Sequence, residues 1–229
     1  MAILSLVLYG SRARRDEDSA SDIDLFAISD DLEYRMIVKG SANVASYPRT
    51  LALERATQGD LFMLHIVSES QTLYDPSGNI EQLKKEFTYR PSYDSEIQFA
   101  SDIAWMLVDH AQSTDNFSFI NRRIAWCVRT ILIARAANLR VPIFSAKSLA
   151  EFSGSQLTLS LIKSKGYSGP RPESINELED FIKQFGKDRP TKRASTSLHD
   201  YALIFADTQN VMGTKTLTML QSSAEDFYA

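Results

Sequence analysis

The pattern of apolar residues predicts short buried strands at the start of the chain. Ala2–Tyr9 is a nearly continuous apolar run that ends at Gly10, as expected of a strand covered on both faces. Ile23–Ile28 is a second run of this kind, and Met36–Tyr47 is a weaker third one that a glycine interrupts. These segments predict a small sheet of three strands.

Helical patterns follow the third strand and dominate the rest of the chain. Pro48 opens a helix that extends to about Gln58, whereas Leu61–Val67 fits a short buried helix and a strand equally well. A turn cluster at Tyr74–Gly78 precedes the change to almost continuous helix. The later helices are expected at Asp94–Gln112, Phe117–Leu139, Ser145–Phe152, Gln156–Lys165, Glu173–Phe185 and Leu198–Met212. The sequence therefore predicts a mixed α/β fold with two domains, 1–90 with the sheet and its flanking helices, and 91–229 as a C-terminal helical bundle.

Composition and charge narrow the class of protein. The chain has 229 residues, of which 44% are hydrophobic and 24% charged, as in ordinary globular proteins. Its 25 Lys and Arg against 29 Asp and Glu leave a net charge of −4, which argues against broad binding of nucleic acid. A single cysteine, Cys127, allows no internal disulfide, and no apolar run approaches the roughly 18 residues of a membrane span. A cytoplasmic protein without membrane attachment is expected.

Candidate chemistry is concentrated between the first two strands. Gly10-Ser11 ends the first strand, and Asp22-Ile23-Asp24 begins the second after ten intervening residues. Side chains two positions apart on a strand share a face, so Asp22 and Asp24 can approach one cation. Mg²⁺ is commonly held by one or two carboxylates together with substrate phosphates. A glycine turn followed by backbone N–H groups is suited to those phosphates.

This arrangement of strand, Gly-Ser turn and Asp-x-Asp resembles the signature of the polymerase-β-like nucleotidyltransferases, in particular the minimal and kanamycin-type members. The resemblance implies transfer of a nucleoside monophosphate from an NTP to an acceptor hydroxyl on a small molecule, protein or nucleic acid. It implies that Gly10 and Ser11 bind the triphosphate and that Asp22 and Asp24 hold Mg²⁺ (or Mn²⁺). Arg12 occupies a position that is often basic in the family, where it either contacts phosphate or begins a solvated helix. Small chains of this kind suggest a partner protein or a homo-oligomer, in a toxin–antitoxin or phage-defence setting.

Two departures from the family pattern support an alternative. Asn43 stands where the family usually has a third carboxylate, and an amide supplies neither the charge nor a general base. Relatives also tend to have a helix before the first strand. The alternative is a catalytically impaired regulatory or binding subunit of a protein complex. A base from the helical domain would rescue catalysis; the candidates are Glu96, Asp102 and Asp109, unless these acids are merely exposed.

Other polar residues have simpler interpretations. Arg135 lies in an apolar helical stripe and needs an acid or a phosphate, because an unpaired buried charge is costly. His65 and His110 lie in apolar contexts without a second ligand at metal-binding spacing and are expected to be packed. The segment from Arg193 to His199 loosely resembles the Arg-x4-6-His signature of HEPN ribonucleases, a match attributed to chance.

Overall fold

The computed structural model describes residues 2–17, 21–191 and 195–225 and divides the chain into two compact units. The first unit comprises 1–91 and 137–145, and the second comprises 92–136 and 146–229. The segment 137–145 joins the first unit through specific contacts. The Arg140 guanidinium donates to the carbonyl of Arg90 at 2.7 Å and lies 4.8 Å from the ring of Tyr89, and Phe144 stacks on His65 with ring centroids 4.3 Å apart.

The first unit is built on a five-stranded mixed sheet, which confirms the α/β class predicted from the sequence. Its strands are β1 (Ile3–Tyr9), β2 (Ile23–Ser29), β3 (Arg35–Lys39), β4 (Ala42–Pro48) and β5 (Gln71–Tyr74). Their spatial order is β3-β4-β2-β1-β5. Only the central β2–β4 pair is parallel, whereas β1–β2, β1–β5 and β3–β4 are antiparallel. The C-terminal end of β1 therefore lies beside the N-terminal ends of β2 and β4.

The strand count predicted from the sequence is wrong for two reasons. Gly40, with φ of +60°, reverses the chain, so the interrupted run Met36–Tyr47 forms the hairpin strands β3 and β4. The segment Gln71–Tyr74 that forms β5 does not alternate between apolar and polar residues as a half-buried strand does, and all four of its residues are exposed. Pairing with β1 at the edge of the sheet makes this segment a strand.

Three helices pack on one face of the sheet: α2 (Arg49–Thr57), α3 (Leu61–Glu69) and α4 (Asn79–Glu86), after the single-turn α1 (Ser11–Arg14). Asp60 decides the ambiguous segment in favour of helix, because its carboxylate caps α3 by accepting from the backbone N–H of Phe62 and Met63 at 2.9 and 3.1 Å. Asp75 caps α4 similarly. The core between sheet and helices consists mainly of Val7, Phe26, Ile28, Ala45, Tyr47, Ala52, Ala56, Met63, Ile66, Ile80 and Leu83.

In the described residues of the second unit, the regular secondary structure is helical. Its helices are α5 (Asp94–His110), α6 (Phe117–Asn138), α7 (Ala146–Ser153), α8 (Gln156–Lys163), α9 (Glu173–Phe185), α10 (Leu198–Asp207) and α11 (Val211–Glu225). The predicted helix Leu198–Met212 is instead two helices, because Gln209 adopts a left-handed conformation with φ of 55° and ends the first one. Within the described ranges, no helix has the length and hydropathy needed to cross a bilayer.

Candidate active site

The Gly10–Ser11 turn requires glycine. Gly10 has φ of 76° and ψ of −154°, a backbone conformation that residues with a Cβ rarely adopt. A Cβ built on Gly10 would also lie 3.0 Å from Oδ2 of Asp24. The turn that the sequence singled out therefore lies directly against one of the two predicted carboxylates.

The two aspartates differ in their surroundings. Asp24 is the second residue of β2, is partly buried, and pairs laterally with Tyr9 of β1 and with Asn43 of β4. Asp22 immediately precedes β2 and is exposed. The sheet therefore positions Asp24 on both sides, whereas the position of Asp22 depends on the loop that leads into the strand.

Asn43 occupies the place opposite Asp24 in the parallel β2–β4 register. Its side-chain amide donates to Oδ1 of Asp24 over 3.5 Å, the long limit of a hydrogen bond. An amide nitrogen in this place cannot bind a cation or accept a proton. The β2–β4 register therefore places a neutral hydrogen-bond donor at the position where the resemblance implied a third carboxylate.

The Arg12 guanidinium donates hydrogen bonds to backbone carbonyls of the chain. It donates to the carbonyl of Ser21 at 2.9 Å and to the carbonyl of Asp22 at 3.2 Å. These bonds connect α1 to the loop that carries Asp22. The sequence expectation offered a phosphate contact or a solvated helix start; in the structure two of the guanidinium donors hold that loop.

The single-turn helix α1 is anchored by residues that the sequence analysis did not identify. Arg14 forms ion pairs with Glu69 and Asp16, and the side-chain amide of Gln71 donates to the carbonyl of Ala13. One isolated turn of helix is not stable in water, so these tertiary contacts determine where α1 lies. No local signal marks Glu69 as a partner of Arg14, because 55 residues separate them in sequence.

Tyr9 lies beside Asp24 with its ring packed edge-on against Phe62 and His65 of α3, at centroid distances of 5.5 and 5.3 Å. Burial, and secondarily the negative charge of Asp24, raise the pKa of Tyr9 well above that of a free phenol. The phenol therefore stays neutral at physiological pH.

The three acids considered as alternative general bases all take part in hydrogen bonds within the chain. Asp109 pairs with Arg189 and accepts from the backbone N–H of Thr196 at 3.0 Å and the hydroxyl of Tyr201 at 2.9 Å. These bonds hold Arg189, Thr196 and Tyr201 against α5. Asp102 is only 1% exposed, and the neighbouring Glu96 accepts from the hydroxyl of Ser95. The alternative that these acids are merely exposed is therefore wrong for Asp102 and Asp109, whose side chains are buried.

The remaining polar candidates have structural partners. Arg135 donates to the carbonyl of Phe185 at 2.5 Å, so a backbone oxygen takes the place of the expected acid or phosphate. His65 contacts Glu69, and Nε2 of His110 contacts the carbonyl of Thr196 at 2.7 Å. Arg193, the first member of the ribonuclease-like match, lies outside the described residues.

The donor set beside Gly10 bears on which cation it could hold. No group of three or more His, Cys, Asp or Glu residues in 2–17, 21–191 and 195–225 could hold a metal ion. The carboxylate that the structure places against Gly10 is that of Asp24, and one carboxylate suits Mg²⁺ that also takes oxygens from substrate phosphates. The residues present therefore fit an ion that arrives with a polyphosphate.

No family model matches the chain, and no curated protein is similar to it. Among solved structures, the chain is similar to a nucleotidyltransferase-like protein from Exiguobacterium sibiricum, at 13% sequence identity and a TM-score of 0.33. The match covers 99% of this chain and 84% of that chain.

Proposed function

We propose that the chain is a nucleotidyltransferase that moves a nucleoside monophosphate from an NTP to an acceptor hydroxyl. The α–β phosphoanhydride bond breaks as the new phosphoester forms, and pyrophosphate and the hydroxyl proton are released. The observation that carries the proposal is the approach of the Gly10 turn to the Asp24 carboxylate, where a Cβ would lie 3.0 Å from Oδ2. A phosphate-compatible turn and a metal-compatible carboxylate at one point are what a metal–nucleotide complex requires. The proposed acceptor is a hydroxyl on a partner protein or RNA, and a toxin–antitoxin or defence setting rests on resemblance alone.

Each residue has a role in this proposal. Gly10 lets the triphosphate approach the backbone, and the Ser11 hydroxyl and neighbouring N–H groups donate to its oxygens. Arg12 keeps α1 against the loop of Asp22 and can direct its remaining donors to phosphate. Asp22 and Asp24 would hold Mg²⁺ or Mn²⁺, which when bound neutralises charge on the phosphates.

Asn43 suggests that the activity is weak. Because this amide stands opposite Asp24, no carboxylate at that register position can take the proton of the attacking hydroxyl. The same observation favours the second candidate, a subunit that binds nucleotide without turning it over. Asn43→Asp would restore the missing acid, and general-base catalysis typically contributes at least about 100-fold.

A labelling experiment tests the proposal. The full chain is incubated with each α-³²P-labelled NTP, with Mg²⁺ or Mn²⁺, and with a bacterial lysate as the source of acceptor. We expect a labelled product that disappears with Asp22→Ala/Asp24→Ala and persists with Glu54→Ala/Glu86→Ala, which removes two exposed acids from the same unit. Circular dichroism confirms that each variant is folded.

The outcomes separate the two candidates. Product that increases about 100-fold or more with Asn43→Asp supports an enzyme that lacks a general base. Metal-dependent nucleotide binding without product, in the wild type and in Asn43→Asp, supports the binding subunit. Absence of both binding and product in the wild type rejects the proposed site.

A further inference from the structure

Helix α6 is strongly basic in an acidic protein. Its 22 residues, Phe117–Asn138, contain no Asp or Glu, although the chain as a whole has a net charge of −4. Its charged residues are Arg122, Arg123, Arg129 and Arg135. A helix of this length normally carries acids that pair with its own basic residues three or four positions away. The acids that would balance α6 must come from elsewhere.

Arg123 lies in an aromatic and sulfur-lined cradle. Its guanidinium carbon is 5.4 Å from the ring centroid of Phe119 and 5.6 Å from that of Trp126. One terminal N–H group points at the thioether sulfur of Met212, 2.8 Å away. Its Nε is buried and has no hydrogen-bond partner in the described part of the chain. We call Phe119, Arg123, Trp126 and Met212 the Arg123 cradle.

The charge of Arg123 is poorly compensated. Burial lowers the pKa of the guanidinium, and the adjacent charge of Arg122 lowers it further. The Cys127 thiol is the one neighbour that favours the charged form, but burial raises the pKa of that thiol to about 12, so it is neutral at physiological pH. A half-buried cation that has no oxygen acceptor, as found for Arg123 in the described residues, is unfavourable compared with an apolar side chain of similar size.

Three other arginines that stack on aromatic rings have carboxylate partners, and a fourth, Arg140 on Tyr89, donates to the backbone carbonyls of Ala137 and Arg90. Arg189 lies 4.3 Å from the Trp105 ring centroid and pairs with Asp109. Arg55 and Arg171 follow the same arrangement; Arg55 stacks on Tyr47 and pairs with Asp60, and Arg171 stacks on Tyr167 and pairs with Glu173 and Glu177. Each of these arginines donates to an oxygen atom, whereas in the described part of the chain Arg123 donates to a sulfur and its Nε has no acceptor.

We propose that the Arg123 cradle is a docking site for an acidic segment of a partner protein. A carboxylate of the partner pairs with Arg123, and an apolar side chain next to it packs on Trp126 and Met212. Arginine, tryptophan and methionine are enriched at the centres of protein interfaces. Nucleic acid is disfavoured because its affinity depends on several cations meeting successive phosphates, and the cradle offers one guanidinium held between rings. This proposal is independent of the nucleotidyl-transfer site.

The first test uses the isolated full-length chain. Arg123→Met replaces the uncompensated cation with an apolar side chain, so we expect the melting temperature to rise by about 2–4 °C. The matched control, Arg189→Met, removes a cation that has its carboxylate and should lower the melting temperature. If Arg123→Met lowers it as much as Arg189→Met does, the guanidinium is a structural element and the proposal is wrong.

The second test measures docking directly by fluorescence anisotropy. The probe is a labelled 12-residue peptide in which glutamates alternate with leucine and phenylalanine. We expect binding to the wild type, at least 10-fold weaker binding to Arg123→Met, and no change with Arg35→Met, an exposed arginine paired with Asp31. Exchange of the glutamates for glutamine should also abolish binding.

Three results would overturn the docking site. These are equal affinity of the wild type and Arg123→Met for the peptide, Arg123-dependent binding of a 12-nucleotide single-stranded RNA in place of the peptide, and Arg123-dependent self-association in sedimentation velocity. The last two would assign the cradle to a nucleic acid or to a second copy of the chain.

Discussion

Replacing Asp102 with asparagine should stabilise the protein at neutral pH. Asp102 lies in α5 with 1% of its surface exposed, and its carboxylate accepts one hydrogen bond from the side-chain amide of Gln98, at 2.8 Å. Burial raises the pKa of Asp102 from 3.8 to about 6, against the opposing effect of that hydrogen bond. A shift of about two units corresponds to about 3 kcal/mol between the ionised and neutral forms.

The sign of the effect follows from proton binding. Because the folded-state pKa of Asp102 is above the unfolded value, the folded protein binds the proton more tightly. The ionised carboxyl therefore destabilises the fold fully above about pH 6. This cost disappears as the pH falls towards 4, so the contribution of Asp102 to the free energy of unfolding increases on acidification through that range.

Urea unfolding followed by circular dichroism between pH 4 and pH 8 measures this contribution. We expect Asp102→Asn to raise the free energy of unfolding by about 2–3 kcal/mol at pH 7.5 and by little at pH 4. Asp94→Asn is the matched control, since Asp94 lies on the same helix with 61% of its side chain exposed. A destabilising Asp102→Asn at pH 7.5, or a difference that does not change with pH, would refute the reasoning.

Two further predictions concern a steric clash and a buried hydrogen bond. Gly59→Ala should lower the free energy of unfolding by more than about 2 kcal/mol, because its Cβ would lie 2.7 Å from the backbone nitrogen of Arg90. Gly40→Ala is the control, since Gly40 has a similar positive φ but nothing within 4 Å, and it should cost only about 1 kcal/mol. Equal losses in chemical denaturation would contradict the clash. Tyr201→Phe should lower the free energy of unfolding by about 1–2 kcal/mol because Asp109 loses a buried donor at 2.9 Å, and an unchanged urea midpoint would show that this bond contributes nothing net.

Features encoded by neighbouring residues were predictable from the sequence. The apolar runs of β1 and β2, the helical periodicity after residue 94, and the Gly10 turn between strand and helix depend on side chains a few positions apart. The candidate pair Asp22 and Asp24 was found in the same way. Their identity and order are properties of one short segment.

Tertiary structure decided which of these residues meet and which partners hold them. Strand pairing brings Asn43 opposite Asp24 and makes the exposed segment β5 a strand. An ion pair between α1 and α3 joins Arg14 to Glu69 and anchors α1. Asp109, a candidate base in the sequence, forms an ion pair with Arg189 in the structure. The physical reason is range: local periodicity determines whether a segment becomes a helix or a buried strand, whereas the partner of a charge and the solvation of a carboxyl depend on contacts between segments that are distant in sequence.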